Sequence, residues 1–202
     1  MPHSGYEQMQ NTIREAKQAL RNQVGAQLKR MEPGERAAAS AQARTLLASQ
    51  PLWKTAQWVL FYAPLPEELD VWPLMAEGLA AGKKVALPRF VADNGTYEAC
   101  QIQDVKLDLQ VGYFGIREPA SRCARLPSTR LDLILVPGVA FDLHGRRLGR
   151  GKGYYDQLLR AWHGATCGVG FDQQIVGEIP VAPHDVHLDC ILTPTQWVEL
   201  RL

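Results

Sequence analysis

Between Gly145 and Asp156 the chain reads GRRLGRGKGYYD, which threads Arg146, Arg147, Arg150 and Lys152 among Gly145, Gly149, Gly151 and Gly153. Guanidinium and ammonium groups neutralise anionic oxygens, and glycines let backbone N–H groups approach them closely. Tyr154, Tyr155 and Asp156 follow directly, and a carboxylate placed after such a loop can serve a divalent cation. The chemistry these residues suit is phosphate handling. Two familiar nucleotide loops are excluded by spacing. A Walker A loop reads G-x-x-x-x-G-K-(S/T), whereas here Arg146 stands five residues before Gly151 and Gly153 follows Lys152. Gly149-x-Gly151-x-Gly153 also lacks the G-x-G-x-x-G spacing of dinucleotide folds. On composition alone an anionic-ligand site and a solvated turn both stay open. The flanks favour the site, because an apolar run precedes the loop and a helical run follows it.

Other candidates are scattered. Lys17 and Arg21 lie four residues apart, hence on one side of a helix, which by itself describes a solvated basic edge. Glu68 and Arg89 fall after apolar strand-like runs. A carboxylate there can accept hydrogen bonds from a nitrogen-rich ligand or cap the following helix. His184 and His187, near Asp185 and Asp189, make a poor zinc case without a partner motif and read as exposed loop histidines. No G-x-S-x-G nucleophile motif occurs. Asp156 and Asp189 therefore remain as the candidate oxygen ligands for magnesium.

The elements that must position these groups follow from periodicity. Ile13, Ala16, Leu20, Val24 and Leu28 form a helical stripe, interrupted at Glu32-Pro33-Gly34, and a second helix runs over 35–49. Residues 58–63 form an apolar strand, 73–81 a helix stopped by Gly82, and 85–87 a short strand before Pro88. Strand, helix and strand in this order predict a parallel crossover, with ligand-binding loops at the carboxyl ends of the strands. Further strands are expected over 96–102, 133–136, 165–171 and 188–193, an ordered loop over 112–119, a helix over 157–162, and a short helix or turn over 175–180. The fold class is α/β: a mostly parallel sheet with helices on both faces and an N-terminal helical segment. Residues 1–202 are expected to form a single α/β domain. Its first helix is the one piece able to sit apart, and 1–11 read as a disordered extension.

Composition bounds the class. The 202 residues carry a formal net charge of +1, so no global field draws in nucleic acid or an acidic membrane. Cys100, Cys123, Cys167 and Cys190 are far apart and form no C-x-x-C pair, which suits reduced thiols in the cytoplasm. No apolar run approaches the roughly 20 residues of a membrane helix.

Taken whole, Phe141 to Asp156 closely resembles the signature of the 5-formyltetrahydrofolate cyclo-ligase family, also called 5,10-methenyltetrahydrofolate synthetase. Lys17 to Arg21, Glu68 to Asp70, Gly115 to Pro119 and Leu188 to Pro194 resemble further family segments in the same order. The likeness spans most of 13–198. It implies an ATP- and Mg²⁺-dependent conversion of 5-formyltetrahydrofolate to 5,10-methenyltetrahydrofolate, on a fold like that of sugar-phosphate isomerases and CoA transferases. By resemblance, ATP is contacted by Lys17, Arg21 and the run Arg147, Leu148, Gly149, Arg150, Gly151, Lys152, Gly153, Tyr154 and Tyr155. Arg150 and Lys152 act on the transferring phosphoryl group. Glu68 is expected to bind the pterin, with Arg150, Gly151, Lys152, Gly153 and Tyr154 bordering the folate, and Asp156 and Asp189 are expected to serve magnesium. A monomer is expected. Two rivals remain: a non-catalytic folate- or nucleotide-binding module, and, from fold analogy alone, a sugar-phosphate isomerase or acyl-CoA transferase.

Overall fold

The computed structural model describes residues 3–182 and 185–200. Three helices, α1 (His3–Lys29), α2 (Pro33–Ser49) and α3 (Pro51–Thr55), precede β1 (Trp58–Leu60), α4 (Trp72–Ala80), β2 (Lys84–Val91) and β3 (Thr96–Ile102). A hairpin of β4 (Leu109–Val111) and β5 (Arg117–Pro119) follows, then β6 (Leu133–Pro137), β7 (Ala140–Asp142) and β8 (Arg147–Leu148). After them come α5 (Tyr154–Ala161), β9 (Ala165–Val169), β10 (Ile175–Val176), β11 (Cys190–Leu192) and β12 (Trp197–Glu199).

The main sheet has seven strands in the order β12-β11-β9-β6-β1-β2-β3. Its five inner strands are parallel, and β12 and β3 close the two edges antiparallel. All five residues of β6 are buried, which is why that stretch is apolar without alternation. Leu133 and Leu135 pack on the side of α1 to α4, among Val24, Leu47, Trp53 and Met75. Ile134 and Val136 face the other way, onto Leu158, Leu159 and Trp162 at α5. Helices thus cover both faces.

The crossover β1–α4–β2 is parallel, as its pattern predicts. Strand β2 continues past Pro88 to Val91, longer than the expected 85–87. It can do so because β1 pairs only as far as Ala86, so Pro88 has a strand neighbour on one side alone. The first helix does not sit apart: Val24 and Leu28 are buried in the core. Residues 3–11, expected as a disordered extension, continue that same helix. A second correction concerns 175–180, where Ile175 and Val176 form a strand parallel to β7. This stub belongs to a three-stranded sheet, β10-β7-β8, that carries the basic loop. Buried Asp142 fixes its turn by accepting hydrogen bonds from the backbone N–H groups of His144, Arg146 and Ile179.

On β9, Gly168 permits close packing. A Cβ there would lie 2.6 Å from Leu188 Cδ1 and 2.8 Å from the Phe141 ring, both wholly buried. Gly168→Ala is therefore expected to cost about 1–3 kcal/mol by overpacking. Urea denaturation checks this, and an unchanged midpoint would contradict it.

Candidate functional site

A cleft of about 390 Å³ opens at the carboxyl ends of β1, β2 and β6, a volume in the ordinary range for small-ligand sites. From β1 the chain moves outward to β2, and from β6 it moves the opposite way to β9, so the cleft lies where the strand order reverses. Its lining comes from Tyr62 to Glu68 after β1, Pro88 on β2, Tyr97 on β3, Pro137 and Gly138 at the end of β6, the basic loop with the start of α5, and the β4–β5 hairpin from Phe114 to Glu118.

The basic loop takes its shape from two glycines in left-handed conformations, Gly151 at φ +96° and Gly153 at φ +69°. Gly153 is the N-cap of α5, so the free N–H groups of that helix begin where the loop ends. Beneath the loop, buried Arg147 donates from Nη2 to Asp156 Oδ1 at 2.7 Å and stands over the Tyr155 ring at 5.6 Å. Its Nε is buried without a hydrogen-bond partner. Leu148 packs its side chain into the core, gives its carbonyl to the Val139 N–H, and does not line the cleft. Exposed Lys152 holds its ammonium 4.6 Å from the centre of the Phe114 ring.

Arg150 bridges the two sides of the cleft. Its Nη2 donates to Glu67 Oε1 at 2.8 Å and to Glu68 Oε1 at 3.2 Å. Glu68 also accepts from the Leu65 N–H, and its side chain is 10 % exposed. Desolvation raises the Glu68 pKa above the ordinary carboxylate value, against the Leu65 and Arg150 contacts that lower it. Burial and the Glu68 carboxylate likewise push the hydroxyls of Tyr62 and Tyr155 upward.

That elevation has a consequence for stability. A carboxyl whose pKa is higher in the folded state holds its proton there longer, so folding loses stability as pH rises from about 4.3 through the folded value. Glu68→Gln is therefore expected to melt higher than the parent at neutral pH while weakening ligand binding. The difference in Tm should shrink as pH is lowered towards 4; a lower Tm for the variant at pH 7 would contradict this.

Of Lys17 and Arg21, both remote in sequence, Arg21 meets the basic loop, and neither lines the cleft. Arg21 Nε donates to the Gly149 carbonyl at 2.9 Å, and the guanidinium lies beside Gly151. Partial burial lowers its pKa. Lys17 pairs with Asp185 at 2.5 Å. The expected metal pair is not assembled. Asp156 sits in the first turn of α5 beside Arg147, whereas Asp189 lies at the amino ends of β9 and β11, opposite the cleft. There Asp189 accepts from the Thr166 N–H and hydroxyl, both at 2.8 Å, tying two strands together. It is a structural carboxylate. Among the described residues no group of three or more His, Cys, Asp or Glu is arranged to hold a metal. His184 lies outside the described residues, and His187 is half-buried rather than exposed. Arg89 is also structural: it donates to Glu98 at 2.6 Å and to the carbonyls of Ala120 and Cys123.

Sequence reasoning named Tyr154 but missed the aromatic wall to which it belongs. Phe90, Tyr97, Phe114 and Tyr154 meet with ring centroids 4.9–5.9 Å apart, and Tyr113 packs on Phe90 and Phe114. The available signal was Tyr113-Phe114 between Gly112 and Gly115, two large rings at a turn with no strand of their own to pack into. Glu67 was missed as well, although it stands next to Glu68.

Residues 13–194 match the 5-formyltetrahydrofolate cyclo-ligase family. The 5-formyltetrahydrofolate cyclo-ligase of Escherichia coli K12 is 34 % identical over 176 residues, covering 84 % of this chain and 95 % of that protein. The Mus musculus enzyme of the same name is 27 % identical over 193 residues, covering 90 % and 95 %. Among solved structures, the NMR structure of Aquifex aeolicus 5,10-methenyltetrahydrofolate synthetase superposes with a TM-score of 0.84 at 34 % identity, covering 92 % of this chain and 93 % of that one.

Proposed function

The chain belongs to the 5-formyltetrahydrofolate cyclo-ligase family, and on that premise we propose that it converts 5-formyltetrahydrofolate to 5,10-methenyltetrahydrofolate with ATP, releasing ADP and phosphate. The carrying observation is the distance across Arg150. Its Nη2 is 3.2 Å from Glu68 Oε1, so one guanidinium links an enclosed acceptor carboxylate to the phosphate-type loop. Glu68, in this reading, accepts hydrogen bonds from the pterin's N–H groups. The loop glycines, the start of α5, Arg150 and Lys152 receive the phosphate chain. Arg21 braces the loop through the Gly149 carbonyl.

The chemistry requires that juxtaposition. A formamide carbon is a poor electrophile and its oxygen a poor leaving group. The formyl oxygen attacks the terminal phosphorus and ADP departs. N10 then adds to the activated formyl carbon and loses its proton, and phosphate leaves carrying the former formyl oxygen. Such a transfer depends chiefly on positioning and on cations placed where charge develops. Lys152 and Arg150 supply those cations. The aromatic wall and the hairpin tip exclude water that would intercept the activated carbon.

Asp156, in the first turn of α5, would hold a magnesium ion bound together with the nucleotide, since such ions take few protein carboxylates and several phosphate or water oxygens. When bound, the ion adds charge neutralisation at the phosphates, and Arg147 holds Asp156 in place for it.

An absorbance assay for the methenyl product tests the proposal. Product should form from 5-formyltetrahydrofolate only when ATP is supplied, with equimolar ADP. Tight binding of 5-formyltetrahydrofolate without turnover would favour a binding module instead, and ATP-independent turnover would contradict the proposal.

A further inference from the structure

Glu67 and Glu68 are adjacent in sequence, bond the same nitrogen of Arg150, and differ sharply in environment. Glu68 is 10 % exposed and fixed by the Leu65 N–H, whereas Glu67 is 41 % exposed. Glu67 can therefore return to water at little cost, and Glu68 cannot. A second cation is close by: Arg36 donates from Nη1 to the Pro66 carbonyl at 3.2 Å, and its charge favours ionised Glu67. Desolvation pulls the Glu67 pKa upward, but the Arg150 hydrogen bond and the charges of Arg150 and Arg36 prevail, and the net shift is downward. It is thus a carboxylate held charged against Arg150.

From this geometry we infer that Glu67 is a positioning residue that couples the two substrates, by competing with phosphate for Arg150 and helping to hold Arg150 on Glu68. The inference rests on the reading that Arg150 meets ATP and Glu68 the pterin. A phosphate oxygen that takes Arg150 Nη2 displaces both carboxylates and frees Glu68 to accept from the pterin. A pterin on Glu68 in turn removes one of the two carboxylates holding Arg150. Each ligand therefore undoes part of what opposes the other, and by linkage each tightens the other by the same factor. Glu67 touches neither reacting atom. It sets how much of that work the first ligand does.

Calorimetric titrations with an ATP analogue bearing a methylene bridge between the β- and γ-phosphorus, with and without 5-formyltetrahydrofolate, test the inference. Parent protein should bind the analogue more tightly when the folate is present. Glu67→Gln should bind the analogue alone about two- to fivefold more tightly, the scale of one exposed ion pair. Its gain from the folate should fall towards one. Glu67→Asp, which keeps the charge, should lie between the two, and thermal melts establish that each variant is folded. Unchanged affinity in Glu67→Gln, or tighter binding with the full parental gain, would overturn the inference; the latter pattern is mere charge repulsion. Failure of the parent protein to bind the analogue at all is a different result, since it overturns the functional reading and this inference with it.

Discussion

Lys152→Ala is expected to lower kcat by about 10²–10³-fold, the scale of removing one preorganised group from a developing charge. The fold should survive. Lys152 is exposed, and its one described tertiary contact is the ring of Phe114 at 4.6 Å, worth about 0.5–1 kcal/mol. A melt within a few degrees of the parent, beside a collapse in methenyl-product formation, is the predicted pair of results. Lys152→Arg should recover only part of the rate, because a planar guanidinium cannot place its charge where a compact ammonium does. Parental turnover in the alanine variant would remove Lys152 from the chemistry.

The second large effect is on stability. Arg147 is buried, and its charge is met by Asp156, which keeps 18 % of its side-chain exposure. Arg147→Ala leaves that carboxylate unpaired and opens a space under Tyr155. The expected cost is about 3 kcal/mol, the lower end for breaking a buried pair because Asp156 is not fully enclosed. Urea denaturation reads this directly. The double variant Arg147→Met with Asp156→Leu is expected to regain most of the stability, since an apolar pair replaces the ionic one. It should not regain activity. A single variant as stable as the parent would show that the pair contributes nothing to the fold.

How much of this was legible in the sequence depended on where each signal resides. Strand β6 and the loop after it were readable because the signal is local: a continuous apolar run, then glycines and cations in order. The crossover through α4 was readable for the same reason. Strand β10 was not, because Ile175 and Val176 become a strand only by pairing with Phe141 and Asp142, over thirty residues away in the chain. The aromatic wall was hidden likewise, since Phe90, Tyr97, Phe114 and Tyr154 come from four separate elements or turns. Spacing showed that Lys17 and Arg21 share a helix face, but only the fold brings Arg21 to the Gly149 carbonyl. Asp189 misled because a short motif carries no information on which end of a sheet it occupies; its carboxylate is spent on Thr166.

Departure of the formyl oxygen as part of the phosphate, after transfer at the loop that carries Arg150 and Lys152, is the step on which the proposed reaction stands. It is tested most directly by labelling that oxygen in 5-formyltetrahydrofolate with ¹⁸O and following the label by mass spectrometry through one turnover with unlabelled ATP. One ¹⁸O atom is expected in each phosphate released, and none in water. Label in the water, with unlabelled phosphate, would contradict it.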